Sequence, residues 1–266
     1  MIFNCKKLAA RELEKIKDSA PKNLSVGVLQ VGKDPVSEVY VEEKRKAAEK
    51  AGIEFTHYKL SSKISFNNLK AKISGLSDDG LIIQLPIKSD LDTQKVLNLI
   101  PFGKDIDALS EMSVGKMYTG RLNIFPPVVS AIDKILKDQK IDMEGKILGV
   151  VGPGRLVGRP TISYGLNKGA SIVSVNENSR NPEKLTAKAD ILVTGVGKPD
   201  LIKAEMVKEG AIVIDAGTSK KDGRVVGDVD LEDVKEKVNL VTPVPGGVGP
   251  LTVVCLLENL LKKNVN

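Results

Sequence analysis

Short apolar runs alternate with longer amphipathic ones along most of this chain. In the first half the pattern predicts strands over 24–30, 53–60 and 80–84, with helices over 37–51 and 66–76 between them. A second block opens after Pro126-Pro127 with a helix running through Leu136. Strands are then predicted over 147–151, 170–175, 190–194, 211–215 and 238–241. These runs are continuously apolar rather than alternating, as in a parallel sheet covered on both faces. Strands interleaved with helices place the chain in the α/β class, with the second block a Rossmann-like, doubly wound parallel sheet. Two domains are expected, 1–124 and 125–248, and the change falls near 121–127. The C-terminal helix, within 249–266, is expected to join the first.

Composition narrows the function. At 266 residues the chain can bury one large core or two modest ones, and 41% hydrophobic with 28% charged residues is ordinary for a soluble globular protein. Aromatic residues are only 3%, with no Trp, which argues against a nucleic-acid binder that stacks bases. The net charge of +6 comes from 40 basic and 34 acidic residues scattered without a basic block. An anionic small molecule suits that excess better than nucleic acid. Cys5 and Cys255 lack metal-ligand spacing, and one histidine, His57, cannot complete a zinc site, so no metal is expected. His57 lies in an apolar–polar alternation and reads as a strand surface residue. With no signal-peptide or membrane-length apolar run, a cytoplasmic protein is expected.

The helix over 37–51 rewards projection at about 100° per residue. Val36, Tyr40, Val41, Ala47, Ala48 and Ala51 share an apolar arc, opposite Glu38, Glu42, Arg45 and Glu49. Lys44 falls inside the apolar arc, one turn after Tyr40. Two readings stay open from the wheel alone: a snorkelling lysine with its ammonium at the rim, or a desolvated lysine of lowered pKa fit for proton transfer.

The second block carries a strand, turn and helix with three glycines, Gly152-Pro-Gly154-Arg155-Leu-Val157-Gly158-Arg159-Pro160. The first glycine turns the chain, the second admits a pyrophosphate, and the helix N-terminus offers amides. The spacing is one residue longer than the commonest fingerprint. Two further turns, Gly195-Val-Gly197 and Asp215-Ala-Gly217-Thr218, follow strands of the same sheet and belong at its carboxyl edge, where ligands bind. After the strand over 170–175, Glu177 suits the ribose hydroxyl of NAD, whereas Ser179 and Arg180 suit the 2′-phosphate of NADP. Arg155 and Arg159 add positive charge, and NADP is the preferred reading, with NAD the alternative.

A last motif, Pro243-Val-Pro245-Gly246-Gly247-Val-Gly249-Pro250-Leu-Thr252, holds three prolines and three glycines before a helix predicted over 252–263. The run is expected to be neither helix nor central strand, but a loop whose amides approach a ligand. It resembles the signature of the bifunctional methylenetetrahydrofolate dehydrogenase/cyclohydrolase family. Three more segments are similar to that family in the same order. They are Tyr40-Val-Glu-Glu-Lys44, Gln84-Leu-Pro86 and Lys104-Asp105-Ile-Asp107, and the match extends over 31–261.

The resemblance implies oxidation of 5,10-methylenetetrahydrofolate with NADP, then hydrolysis of the methenyl product to 10-formyltetrahydrofolate, in one-carbon metabolism and purine biosynthesis. The active site is expected in the cleft between the domains. Lys44 is implied as the acid/base residue, Gln84 as its hydrogen-bond partner, Tyr40 as a pocket wall and Asp107 as the pterin anchor. Pro245, Gly246 and Gly247 are implied at the substrate. Gly152, Gly154, Arg155, Val157, Gly158, Arg159, Ser179, Arg180, Gly195, Gly197, Thr218 and Gly249 are implied at the cofactor. A homodimer through the nucleotide domain is also implied, with no nucleic-acid or membrane partner.

Three departures stand out. Phe125-Pro-Pro-Val128 replaces the family's Pro-Cys-Thr-Pro, Gly152-Pro-Gly154 replaces Gly-Arg-Ser, and Ala108 replaces the glycine after Asp107. Other readings are a dehydrogenase with little hydrolase activity, an unrelated dinucleotide enzyme such as an amino-acid dehydrogenase, and a non-catalytic nucleotide sensor.

Overall fold

The computed structural model describes residues 1–221 and 223–264. Its contacts divide the chain into two compact units. One, here the first unit, comprises Ala10–Pro127 and the chain from Val253 onward. The second comprises Met1–Ala9 and Val128–Thr252. Residues 1–9 were expected in the first domain; they group instead with the second unit, where Ile2 bridges to Val241 and the Phe3 amide donates to the Val241 carbonyl at 2.9 Å.

The first unit contains most of α1 (Cys5–Ser19), then β1 (Ser25–Val31), α2 (Pro35–Lys50), β2 (Glu54–Leu60), α3 (Phe66–Ser74) and β3 (Gly80–Gln84). Short helices α4 (Thr93–Leu97) and α5 (Glu111–Tyr118) follow. The strands form a parallel sheet in the order β2-β1-β3. Leu29, Leu69, Leu81, Ile83 and Val96 are among the residues packed in its core. Although β3 is an edge strand, it is buried throughout, because the segment at Asp105 bridges to Leu81 and covers it. That bridge carries Asp107 to the neighbourhood of the Gln84 end of β3.

The second unit follows with α6 (Pro127–Asp138), β4 (Ile147–Val151), α7 (Gly158–Asn167), β5 (Ser171–Val175), α8 (Pro182–Thr186), β6 (Ile191–Thr194) and β7 (Ile212–Asp215). A hairpin of β8 (Ser219–Lys221) and β9 (Arg224–Val226), then α9 (Leu231–Val234) and β10 (Leu240–Val241), complete it. Its parallel sheet has the order β10-β7-β6-β4-β5, so the chain reverses direction between β4 and β6. Ligands of open α/β sheets bind at such a switch point, outside the carboxyl ends of the strands. The expected five strands all form. However, β5 is not a buried run: Ser171 and Ser174 are exposed because the strand lies at the sheet edge.

The last helix, α10 (Val248–Asn264), starts earlier than expected. Val248, Gly249 and Pro250 form its first turn rather than a loop. A first turn has no intrahelical acceptor for its amides, so proline costs nothing there. The expected helical positions 265–266 lie outside the described residues.

Candidate active site

The helix α2 is built to hold one face toward the end of β3. Its cap, Asp34, accepts from the Ser37 amide at 2.9 Å and from the Ser37 hydroxyl at 2.6 Å. Those bonds hold the Asp34 carboxyl below the usual carboxylate range, with Lys88 a lesser influence. Ser37 also donates to the Leu85 carbonyl at 3.3 Å, tying the start of α2 to the loop after β3. The wheel placed Val36 on the buried arc, but it is 54% exposed and Ser37 takes the buried position. Ser37, Val41 and Ala48 are the buried positions of this helix, so its inward face leaves the Val36 edge of the apolar arc outside.

Two turns further on, Lys44 Nζ donates to Gln84 Oε1 at 2.9 Å. Gln84 is 7% exposed, and its amide donates to the Leu85 carbonyl at 2.8 Å, which fixes which end faces the lysine. Desolvation lowers the Lys44 pKa below its ordinary value, against the attraction of Asp107. Desolvation likewise raises Asp107, to about 6, against Lys44 and assisted by Asp105. Each partner favours the other's charged form, yet burial dominates on both sides. Lys44 is thus a partly buried lysine whose Nζ is held by Gln84 and whose pKa desolvation lowers. Tyr40 stands half-buried one turn before it.

The loop that bears Asp107 is strongly tied. Asp105, 1% exposed, accepts from the Leu109 and Ser110 amides and from the Ser110 and Ser113 hydroxyls, the last two at 2.6 Å. Asn259 of α10 donates to the Ile106 carbonyl at 2.9 Å and to the Phe125 carbonyl at 2.7 Å. Ala108, where the family has glycine, adopts the left-handed conformation with φ of 56°. The substitution is thus accommodated by strain on one residue, with the loop anchored on both sides. His57 is half-buried in β2, its Nε2 2.9 Å from Gln30 Oε1.

In the second unit the glycine loop has the shape its spacing suggests. Gly152 has a φ of +79°, and a Cβ on Gly158 would lie 2.2 Å from the Gly152 carbonyl oxygen. Around Gly154 a Cβ would meet nothing within 4 Å, so the middle of the loop is an open cradle. The Arg159 amide donates to the Gly154 carbonyl and its Nε to the Pro153 carbonyl at 3.1 Å, so this arginine braces the loop. Arg155 is exposed beside it. Beyond β5, the Ser179 hydroxyl accepts from the Asn176 amide at 2.9 Å, and Arg180 and Glu177 are exposed.

The second glycine turn, for which the resemblance implies cofactor contact at Gly195 and Gly197, is held from within the chain. The Gly197 amide donates to Asp228 at 2.8 Å, flanked by those of Val196 and Lys198. Gly195 is needed for packing: a Cβ there would lie 2.6 Å from Val157 Cβ. Thr218 is exposed after β7, and Gly249 is exposed in the first turn of α10. In the Pro243 motif, a Cβ on Gly247 would meet the Pro243 carbonyl at 2.1 Å, and Gly246 has a φ of +92° under the Lys6 stem. Pro245 is exposed. Asp228 was missed by the sequence reading because an aspartate in a Gly-Asp-Val-Asp stretch has no periodicity to mark it as buried.

A glycine-rich strand–turn–helix at a sheet switch point, with a desolvated lysine held by a buried glutamine, defines a dinucleotide-dependent enzyme with acid/base chemistry. Comparison with known proteins gives the particular family. A model of the tetrahydrofolate dehydrogenase/cyclohydrolase catalytic domain matches residues 3–107. A model of that family's NAD(P)-binding domain matches residues 126–266. The bifunctional protein FolD of Aquifex aeolicus is 40% identical over 274 aligned positions, covering 98% of this chain and 94% of that protein. The structure of bifunctional FolD from Campylobacter jejuni is similar with a TM-score of 0.94 and 35% identity, covering 99% of this chain and 98% of that one. The Trypanosoma brucei FolD, solved with NADP and an inhibitor, has a TM-score of 0.92 and 28% identity, with 99% and 96% covered. The chain belongs to the tetrahydrofolate dehydrogenase/cyclohydrolase family.

Proposed function

We propose that this chain oxidises 5,10-methylenetetrahydrofolate with NADP and hydrolyses the methenyl product to 10-formyltetrahydrofolate. The observation that carries it is the Lys44–Gln84 bond in a site where burial lowers the lysine pKa and Asp107 is the attracting charge. Family membership supplies the substrate class.

NADP, when bound, accepts the hydride that leaves the methylene carbon. The open backbone at Gly154 and the close approach of Gly158 to Gly152 fit a pyrophosphate, and Ser179 and Arg180 stand where a 2′-phosphate is expected. Within this chain, Gly152, Gly154, Val157, Gly158 and Thr218 line the nucleotide path, while Arg155 and Arg180 supply charge.

The hydrolytic step is where the protein's own groups act. Water adds to the methenyl carbon and gives up a proton to Lys44, whose lowered pKa favours the proton-accepting form. The bond from that carbon to N5 of the folate then breaks, N5 takes a proton from Lys44, and the hydroxyl proton leaves as the formyl group forms. One proton is released overall. Gln84 holds Nζ in place, Asp107 anchors the pterin N–H groups, and Tyr40 shapes the pocket. Pro245, Gly246 and Gly247 offer backbone to the substrate. Two coarser expectations belong to the same reading, a homodimer through the nucleotide unit and a cytoplasmic supplier of formyl groups for purine biosynthesis. No described helix is long and apolar enough to cross a membrane.

The test is an ultraviolet time course with 5,10-methylenetetrahydrofolate and either NADP or NAD. Reduced nicotinamide forming faster with NADP, and methenyl product decaying faster than without enzyme, is the expected result. Accumulating methenyl product would remove the hydrolase; no turnover would remove the folate assignment.

A further inference from the structure

Asp228 lies in the second unit, before α9, and is fully buried. Both its carboxylate oxygens are saturated. Oδ2 accepts from the Thr194 hydroxyl at 2.7 Å and the Val196 amide at 2.7 Å; Oδ1 accepts from the Gly197 amide at 2.8 Å and the Lys198 amide at 2.9 Å. Three consecutive amides converging on one anion form the kind of concavity that elsewhere binds a phosphate. Here the anion is built in, so the turn after β6 cannot offer those amides to a cofactor.

The turn that Asp228 shapes presses on the glycine loop after β4. A Cβ on Gly152 would lie 2.6 Å from Val196 Cγ2, and Gly195 packs on Val157 as closely. The adjoining turn leans on the same acid, since a Cβ on Gly217 would lie 2.2 Å from the Asp228 carboxyl. Asp215 in turn holds the segment around Asp228. It accepts from the Gly217 amide at 2.8 Å and the Val229 amide at 2.9 Å, and Gly227 leaves room for its carboxyl.

We propose that Asp228 is a positioning residue for the cofactor, acting through the turn at 195–198 and Val196 to hold the Gly152–Gly158 loop in its binding shape. The proposal rests on the reading of the second unit as the NADP site. Asp228 is fully buried with four donors on its carboxylate, and it replaces the ligand anion that such an amide nest would otherwise take. The turn at 215–218 packs on the same carboxyl through Gly217, while its own amide is held by Asp215.

The test compares wild type, Asp228→Asn and Thr194→Val. The asparagine keeps the size but turns an amide donor toward backbone donors; the valine removes one donor to the acid without touching the turn. NADP affinity is measured by fluorescence titration, and methenyltetrahydrofolate hydrolysis is measured without nucleotide. Asp228→Asn is expected to weaken NADP binding roughly tenfold or more and to raise the NADP KM with kcat largely kept, leaving hydrolysis unchanged. Thr194→Val is expected to shift the same parameters less, and it decides the matter if the asparagine variant does not fold. Wild-type NADP affinity in a folded Asp228→Asn, or in Thr194→Val alone where the asparagine variant does not fold, would overturn the proposal. So would parallel loss of binding and hydrolysis. A wild-type protein that fails to bind NADP would overturn the cofactor reading itself.

Discussion

A lysine on an apolar helix face is ambiguous until its neighbours are known. On α2 the wheel places Lys44 beside Tyr40, but its partner Gln84 is 40 residues away, and only the end of β3 brings the two together at 2.9 Å. Replacing Lys44 with Met is expected to lower methenyl hydrolysis by about 100-fold or more, while part of the dehydrogenase rate survives. Steady-state assays of both reactions check this, and an unchanged hydrolysis rate removes Lys44 from the chemistry. A second titration belongs to Asp215, whose pKa burial raises from 3.8 to about 6, against donors from Val229, Gly217 and Asp228. The folded state then binds more protons than the unfolded one between those values. Its contribution to stability is present below pH about 4 and is lost as pH rises through about 6. In Asp215→Asn, urea denaturation across this range is expected to show a shallower downward slope, because Asp107 titrates in the same range and keeps its own share. An identical slope would show that Asp215 is not the titrating group.

At the scale of elements, the helices and strands show where pattern suffices. Strands β3 and β4 lie where apolar runs bounded by polar residues predict them. Helix α1 went unread because its buried face, Cys5, Leu8, Ala9 and Ile16, is interrupted by buried Glu12, which pairs with Lys15 at 2.7 Å. The hairpin of β8 and β9 is too short and too polar to be visible as a pattern. The end of α6 offers a test. The Ile141 amide donates to the Leu136 carbonyl at 2.9 Å and the Lys140 amide to Lys137, closing the helix with Lys140 at φ 54°. Glycine is the favoured residue for that left-handed position. Lys140→Gly is expected to stabilise the protein by about 1 kcal/mol, read as a higher urea midpoint with unchanged slope. A lower midpoint would mean that the Lys140 side chain stabilises the fold more than its backbone strains it.

For the molecule as a whole, cofactor binding is the readout that joins site to fold. NADP at about 100 times its dissociation constant is expected to add about 2.7 kcal/mol of stability, and NAD at the same concentration less. Thermal unfolding with each nucleotide measures the difference, and equal gains would replace the NADP preference by an indifferent site. The amino-acid sequence by itself determined the α/β class, the positions of most core strands, the glycine loop and the membership signalled by collinear motifs. Each of these is carried by local periodicity or by residues close in the chain. Tertiary structure decided which polar groups meet. It brought Gln84 to Lys44, closed Ala108 into a strained but anchored loop, and gave the amides at 196–198 to Asp228 rather than to a ligand. The physical reason is strand order: the parallel sheet brings together turns separated by tens of residues, and burial there rewards only fully paired polar groups, a condition no local pattern encodes.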